Sequence, residues 1–279
     1  MLSVVIPVYK KTDDFVANLK HNLPHLNGYE IIVVNDDPTT SIRDVMKPFP
    51  VRLIENKTNL GFAGAVNEGI RACTKPYIFL LNSDVLLSNA DVEKTVKKFE
   101  SDDRLFAVAL AQKESDGTIV GKNELYWSHG LLNHRRALDL TPGENGWAEG
   151  GSSVFRRDLL QQLSGFDPIF KPFYWEDIEL SYRAKKRGYK TVFDPTIVVL
   201  HHHESTIGTF WSRRAIDVIA TRNQILTSWK FLGDTNVLMH CAYLIIHSLR
   251  SIVGGNFIFV EGLANATLFL FRPAFYTIR

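Results

Sequence analysis

Short apolar runs alternate with amphipathic stretches through the first hundred residues. Ser3–Val8, Tyr29–Asn35, Val51–Glu55 and Tyr77–Asn82 are brief, rich in β-branched and aromatic residues, and of the kind buried in a parallel sheet. Between them, Asp13–Asn22, Ser41–Lys47 and Ala63–Cys73 carry helical spacing. The β-α-β-α-β-α-β order predicts an α/β fold with a doubly wound sheet flanked by helices. Ligands of such sheets bind at the carboxyl ends of the strands. The polar groups to inspect are therefore Tyr9, Asn35-Asp36-Asp37, Asn56 to Asn59 and Asn82-Ser83-Asp84.

The pattern loosens over residues 101–165. Phe106–Ala111 and Gly117–Val120 are predicted strands joined by a polar turn, and Thr141–Gly146 is a loop. Gly150 and Gly151 permit either a turn or close backbone approach to a ligand. Strand character resumes at Thr191–Asp194 and Ile197–Leu200, which run into His201-His202-His203. From about residue 210 the chain turns helical and apolar. Phe210–Phe231, Val237–Ile252 and Phe257–Phe271 are predicted helices, and Arg250 and Glu261 interrupt the last two. Neither uninterrupted stretch reaches the roughly 18 residues of a membrane span. Residues 210–279 hold seven Lys/Arg against three acids, a net +4. Apolar helices with a cationic excess suit the surface of an anionic membrane, or packing on the main domain or a second subunit as in a homodimer.

A chain of 279 residues with 45% hydrophobic composition supports one sizeable α/β domain with an appendage. Its net charge of +2 lacks the basic excess expected for nucleic-acid binding. Two cysteines, Cys73 and Cys241, without a CxxC, indicate a reducing compartment and neither a disulfide framework nor a zinc site. The first residues, Leu2–Val8, read as a strand with no cationic leader, so the expectation is a cytoplasmic protein, at most peripheral at the inner face of the membrane.

Chemistry concentrates at three places. Within Phe79–Leu87 an apolar strand ends in Asp84, a carboxylate that needs a cation or a helix-capping role where a buried strand surfaces. On a strand, His201 and His203 share a side while His202 faces away, so one imidazole could join Asp84 on a metal. Phe173–Arg183 packs Glu176, Asp177 and Glu179 beside Tyr174 and Trp175. Crowded acids raise one another's pKa, though an acidic first turn also starts a helix. The Gly-punctuated stretch Asn59–Gly69 opens a helix but matches neither the dinucleotide fingerprint nor the Walker pattern.

Taken in order, Ser3–Tyr9, Ile31–Asp37, Asn59–Gly69, Leu80–Asp84, Gly150-Gly151 and Trp175-Glu176-Asp177 resemble the family 2 glycosyltransferases of the GT-A fold, in particular their bacterial rhamnosyltransferase-like branch. The resemblance covers about residues 1–205 and implies a mostly parallel GT-A-type sheet over 1–209, followed by a C-terminal helical appendage over 210–279. It implies inverting transfer of a sugar from a nucleotide-diphosphate donor, dTDP-rhamnose or a UDP-sugar, with Mn2+ or Mg2+. The acceptor would be a lipid-linked or growing surface glycan. By motif match, Pro7, Tyr9 and Asp36 would line the nucleoside pocket, and Asn59, Gly61, Asn67, Asn82 and Ser83 would border the donor. Gly150, Gly151, Trp175 and Glu176 would meet the acceptor, Asp177 would be the base, and Asp84 with His201 or His203 would hold the metal. Two departures stand out: Asn82 replaces the first Asp of the usual metal motif, and the nucleotide motif ends Asn35-Asp36-Asp37-Pro38. A nucleotidyltransferase would show a basic Gly-rich loop near the N-terminus, which Pro7–Thr12 is not. A non-catalytic glycan-binding scaffold would not need Asp84 and Asp177 together.

Overall fold

The structure, a computed structural model, describes residues 1–88, 91–201 and 206–270. Its first half reads β1 (Leu2–Val8), α1 (Thr12–Asn22), β2 (Glu30–Asn35), α2 (Arg43–Met46), β3 (Arg52–Glu55), α3 (Gly61–Ala72) and β4 (Tyr77–Leu81). Next come β5 (Val85–Leu87), α4 (Lys94–Ser101), β6 (Leu105–Lys113), β7 (Ile119–Val120), β8 (Asn123–Ser128), β9 (Leu131–Arg136) and β10 (Gly143–Glu144). Then follow β11 (Ser152–Arg156), α5 (Arg157–Gln162), α6 (Glu176–Lys186) and β12 (Lys190–His201). The chain closes with α7 (Thr206–Phe210), α8 (Arg213–Lys230), α9 (Val237–Val253) and α10 (Ile258–Leu270).

The main sheet runs β10-β12-β6-β11-β4-β1-β2-β3. β3, β2, β1 and β4 are parallel, as are β6 and β12, while β11 lies antiparallel between β4 and β6. Period-two alternation sends β1 residues to two cores. Val4, Ile6 and Val8 join Phe15, Leu19 and Phe99 on one face, and Val5 joins Val66, Ile70 and Leu180 on the other. Both faces are covered, which is why these strands read as continuous apolar runs.

Two stretches differ from the expectation. Thr191–Asp194 and Ile197–Leu200 are one strand, β12, with a register shift between Asp194 and Val198. Pro195, which lacks an N–H to donate, sits in that shift. The loosely patterned middle contains the β8–β9 hairpin, whose exposed or half-exposed residues gave no apolar alternation.

The chain divides into two compact units. The first holds Met1–Glu124, Arg136–Pro172 and Glu176–Thr209, and the second Leu125–Arg135, Phe173–Trp175 and Phe210–Arg279. Within the second, Ser212 caps α8 through its hydroxyl, which accepts from the Ala215 N–H at 3.3 Å, so the expected helix starts after Trp211 rather than at Phe210. Arg214 on α8 pairs with Glu261 on α10 through both guanidinium nitrogens. No described helix is long and apolar enough to cross a membrane.

In the first unit α3 lies so close to β1 that a Cβ on Gly69 would sit 2.4 Å from Val5 Cγ1 and 3.2 Å from Val34 Cγ2. Overpacking of this kind costs about 1–3 kcal/mol. Gly69→Ala is therefore expected to lower the unfolding free energy by that amount in urea denaturation.

Candidate active site

Four strand ends and one helix start assemble the candidate groups in the first unit. β2 ends at Asn35, and Asp36 turns its carboxylate toward the segment before α3. Its Oδ1 accepts from Asn56 Nδ2 and the Leu60 N–H, both at 2.8 Å, and its Oδ2 accepts from the Gly61 N–H at 2.9 Å. Burial raises the Asp36 pKa against the pull of those three bonds and the Lys171 charge. Asp36 thus holds the 56–61 loop, and both of its oxygens are occupied in doing so. Gly61 has φ +73, and a side chain there would strike Lys171 Cγ at 2.8 Å and the Pro172 carbonyl at 3.1 Å, so only glycine fits. The Asn59 carbonyl accepts from Lys171 Nζ.

Asn67 is similarly engaged. Its Nδ2 donates to the Phe166 carbonyl at 2.6 Å and its Oδ1 accepts from the Phe166 N–H at 2.9 Å, which pins α3 to the turn before α6. Pro7 and Tyr9 are half-buried at the end of β1, with Lys10 Nζ 5.2 Å from the Tyr9 ring centre.

The turn between β4 and β5 carries Asn82, Ser83 and Asp84. Its Asn82 N–H donates to the Gly151 carbonyl at 2.9 Å, and the Ser83 carbonyl accepts from Asn18 Nδ2 at 2.9 Å. A Cβ on Gly151 would lie 2.6 Å from Asn82 Nδ2, so β11 begins against this turn only because Gly151 has no side chain. β5 pairs antiparallel with β12, in a register that sets His201 opposite Val85. That register brings His201 Nε2 to 3.7 Å from Asp84 Oδ1. Burial draws the imidazole toward neutrality, but the Asp84 carboxylate, with Glu114 and Glu149 behind it, outweighs burial and raises the His201 pKa.

Asp177 lies on the first turn of α6. Its Oδ2 accepts from the Gly150 N–H at 3.1 Å and its Oδ1 from the Ile178 N–H at 2.8 Å. The carboxyl is pushed up to about 6, first by desolvation and then by the Glu149 charge, while the two N–H bonds hold it back. Of the three clustered acids, Glu179 is fully buried and forms a two-point bond with Arg183, at 2.9 Å on each oxygen. Arg183 also donates to the Leu163 and Gly165 carbonyls, so Glu179 braces α6. The crowding once expected from Glu176 and Glu179 comes instead from Glu149. Residue-type pattern missed Glu149; the sole local signal is an acid directly before Gly150-Gly151. Asn123 Nδ2 at 2.9 Å and Gln112 Nε2 hold it, and both come from distant strands.

Glu176 is 5% exposed, Gly150 is buried and Gly151 is half-buried. Trp175 belongs to the second unit, is 5% exposed, and packs edge to face on His134 with ring centres 5.2 Å apart. In that unit it lines a cavity of about 400 Å3 with His134, Asp217, Thr221 and Gln224. Tyr174 and Trp175 both have positive φ, 71° and 76°. Asn223, fully buried on α8, donates from Nδ2 to the Phe173 and Tyr174 carbonyls at 2.9 and 2.8 Å and so holds this strained corner.

A divalent cation fits at Asp84. The Asp84 Oδ1 atom is buried with no hydrogen-bond partner, an expensive state for a carboxylate that a cation would relieve. The donor set is small: among the described residues no group of three His, Cys, Asp or Glu could hold a metal. Mn2+ and Mg2+ are nevertheless often held by one or two protein donors plus phosphates and waters. His203, the alternative imidazole, lies outside the described residues.

The sequence signature described as "Glycosyl transferase family 2" matches residues 3–164. A pre-mycofactocin glycosyltransferase of Mycobacterium tuberculosis is 25% identical over 222 residues, covering 77% of this chain and 45% of that protein. A poly-beta-1,6-N-acetyl-D-glucosamine synthase of Staphylococcus aureus is 21% identical over 219 residues, covering 76% and 52%. The chain thus spans about half the length of these curated relatives. Among solved structures, GalNAc-T7 with UDP, GalNAc and Mn2+ superposes with a TM-score of 0.62 at 15% identity, over 81% of this chain and 47% of that one. The mannosyltransferase PcManGT of Pyrobaculum calidifontis, with GDP-Man and Mn2+, gives 0.56 at 14%, over 99% and 82%. The fold is GT-A. The expected rhamnosyltransferase-like branch finds no support in these matches.

Asp36→Ala would free the Leu60 and Gly61 amides. Hydrogen bonds to a charged group contribute about 1.5–3 kcal/mol, so hydrogen–deuterium exchange at those two amides is expected to quicken by about 10- to 100-fold.

Proposed function

Because the chain belongs to glycosyl transferase family 2, we propose that it is an inverting, metal-dependent glycosyltransferase using a nucleotide-diphosphate sugar and a glycan or lipid-linked acceptor at a membrane surface. The observation that carries this reading is Asp177, a carboxyl raised to about 6 by burial and Glu149 and aimed by the Gly150 N–H. A group poised there is unprotonated at neutral pH and basic enough to take a hydroxyl proton.

The residues divide the work. The loop held by Asp36, which ends at Gly61, and the turn Asn82-Ser83 would receive the donor at the carboxyl ends of β1, β2 and β4. Asp84 and His201 would hold a divalent cation, and the mixed carboxylate–imidazole pair favours Mn2+ over Mg2+, which prefers all-oxygen shells. Bound there, the cation would supply positive charge to the departing diphosphate. The Asp177 carboxylate accepts the proton of the acceptor hydroxyl as that oxygen attacks the anomeric carbon. The bond from that carbon to the diphosphate breaks as the new glycosidic bond forms. Attack on the face opposite the leaving group inverts the anomeric centre. Gly150 and Gly151 let Phe62 and Asn82 approach the start of β11, which seats the Gly150 N–H on Asp177. Relatives and fold neighbours that transfer glycosyl groups favour this reading over a nucleotidyltransferase or a scaffold.

A donor panel of dTDP-rhamnose, UDP-sugars and GDP-mannose, read by Mn2+-dependent release of nucleoside diphosphate, tests the reading and selects the sugar. Asp177→Asn is expected to bind nucleotide normally and lose about 10²-fold or more in transfer; near-normal turnover would remove Asp177 from the role. Since the base acts unprotonated, wild-type transfer should fall as pH drops through about 6. Glu149→Gln removes a raising charge, so this limb should move to lower pH. Asp84→Ala is expected to abolish the Mn2+ enhancement of nucleotide affinity in calorimetry, and an unchanged enhancement would displace the cation from Asp84.

A further inference from the structure

Helix α9 is built inside out. Its inward face carries polar side chains: His240 is buried and accepts from Trp229 Nε1 at 3.0 Å, Tyr243 meets the His129 ring at 5.2 Å, and His247 meets Phe259 at 5.1 Å. Ser248 and Ser251 complete that side with hydrogen bonds to the Leu244 and Asn256 carbonyls. The outward face is apolar, with Leu238 82% exposed, Ile245 62%, Leu249 57%, Ile252 50% and Val253 88%. A helix on a water-facing surface has the opposite pattern. Contiguous exposed aliphatic residues on this scale mark an interaction surface.

We propose that the outward face of α9 lies on an anionic phospholipid membrane, with Arg250 meeting the headgroups. Charge decides the occupant. α9 carries no acid, and its one Arg or Lys, Arg250, is exposed beside Leu249, Ile252 and Val253. A second copy pressed on this face would bury Arg250 with no carboxylate on either α9 to meet it, an uncompensated charge. Headgroup phosphates supply that partner while the aliphatic side chains enter the acyl boundary. The sequence beyond α10, Phe271–Arg279, adds two arginines and three aromatics and no acid. At 17 residues α9 is too short to cross a bilayer, so it lies in the interface. The inference rests on the proposed function only for the lipid-linked acceptor that the surface would serve.

The test is co-sedimentation of the full chain with vesicles of equal parts phosphatidylglycerol and phosphatidylcholine, without donor or acceptor, so that its outcome is independent of transfer. Wild type should pellet with these vesicles and much less with phosphatidylcholine alone. Ile245→Glu and Leu249→Glu, at exposed positions, should each weaken binding tenfold or more while keeping the wild-type melting temperature. Arg250→Gln should weaken it about fivefold on anionic vesicles. Wild type remaining in the supernatant would overturn the proposal. So would variants that pellet like wild type, or light scattering that shows a dimer dissolved by the same substitutions with no change in pelleting.

Discussion

The antiparallel seat of β11 between β4 and β6 is the constraint on which the site depends. Parallel strands deliver only their carboxyl ends to one edge of a sheet, and a strand running the other way delivers its amino end there instead. Hydrogen-bonded pairing of Ser152 with Leu81 fixes that amino end beside the β4 turn. It places Gly151 against Asn82, where only glycine clears the amide, and Gly150 against the Phe62 ring. The Gly150 N–H then faces Asp177 as the chain enters α6. A shift of one residue in β11 would turn Val154 from one core to the other face, so burial holds the register and the register holds the site.

Electrostatics follows from this placement. The edge collects Asp84, Glu149 and Asp177, with His201 near Asp84. Glu179, only two residues beyond Asp177, is removed from the balance because Arg183 neutralises it inside the first unit. A buried pair of that kind orients a helix without contributing charge to the cleft. The remaining acids make a negative region that favours cations and raises the affinity of neighbouring groups for protons. The same acids raise the His201 imidazole and add to the rise that burial imposes first on the Asp177 carboxyl.

How much of this was legible along the chain depends on the range of the interaction that decides it. Strands β1, β2 and β4 were readable to within a residue because burial on both sheet faces imposes an apolar run on each, and β3, with no buried residue, was marked by Leu53-Ile54 alone. The β8–β9 hairpin was not, since Glu124, Tyr126 and His134 leave no alternation to detect. Residue type marked Asp36 and Asn67 as polar groups at strand and helix ends. It did not tell that their hydrogen-bonding capacity is spent on the Leu60–Gly61 and Phe166 backbones. Glu149 escaped for the converse reason: its partners Gln112 and Asn123 lie 37 and 26 residues away and meet it only through the sheet.

α9 shows the same limit from the other direction. Its sequence predicts an apolar helix interrupted by Arg250, and for a surface helix the default is apolar side inward. What reverses the default is a set of contacts no periodicity reveals: the Trp229 indole and the Gly130 carbonyl on His240, and the His129 ring on Tyr243. The His240 contacts lie within the second unit, so turning α9 over would strip that buried imidazole of Trp229 and Gly130, at about 1–3 kcal/mol for each group left without a partner. Exposure of the aliphatic side thus follows from the partners that His240 and Tyr243 find on the inward side. That distinguishes a surface retained for a partner from one left uncovered by chance.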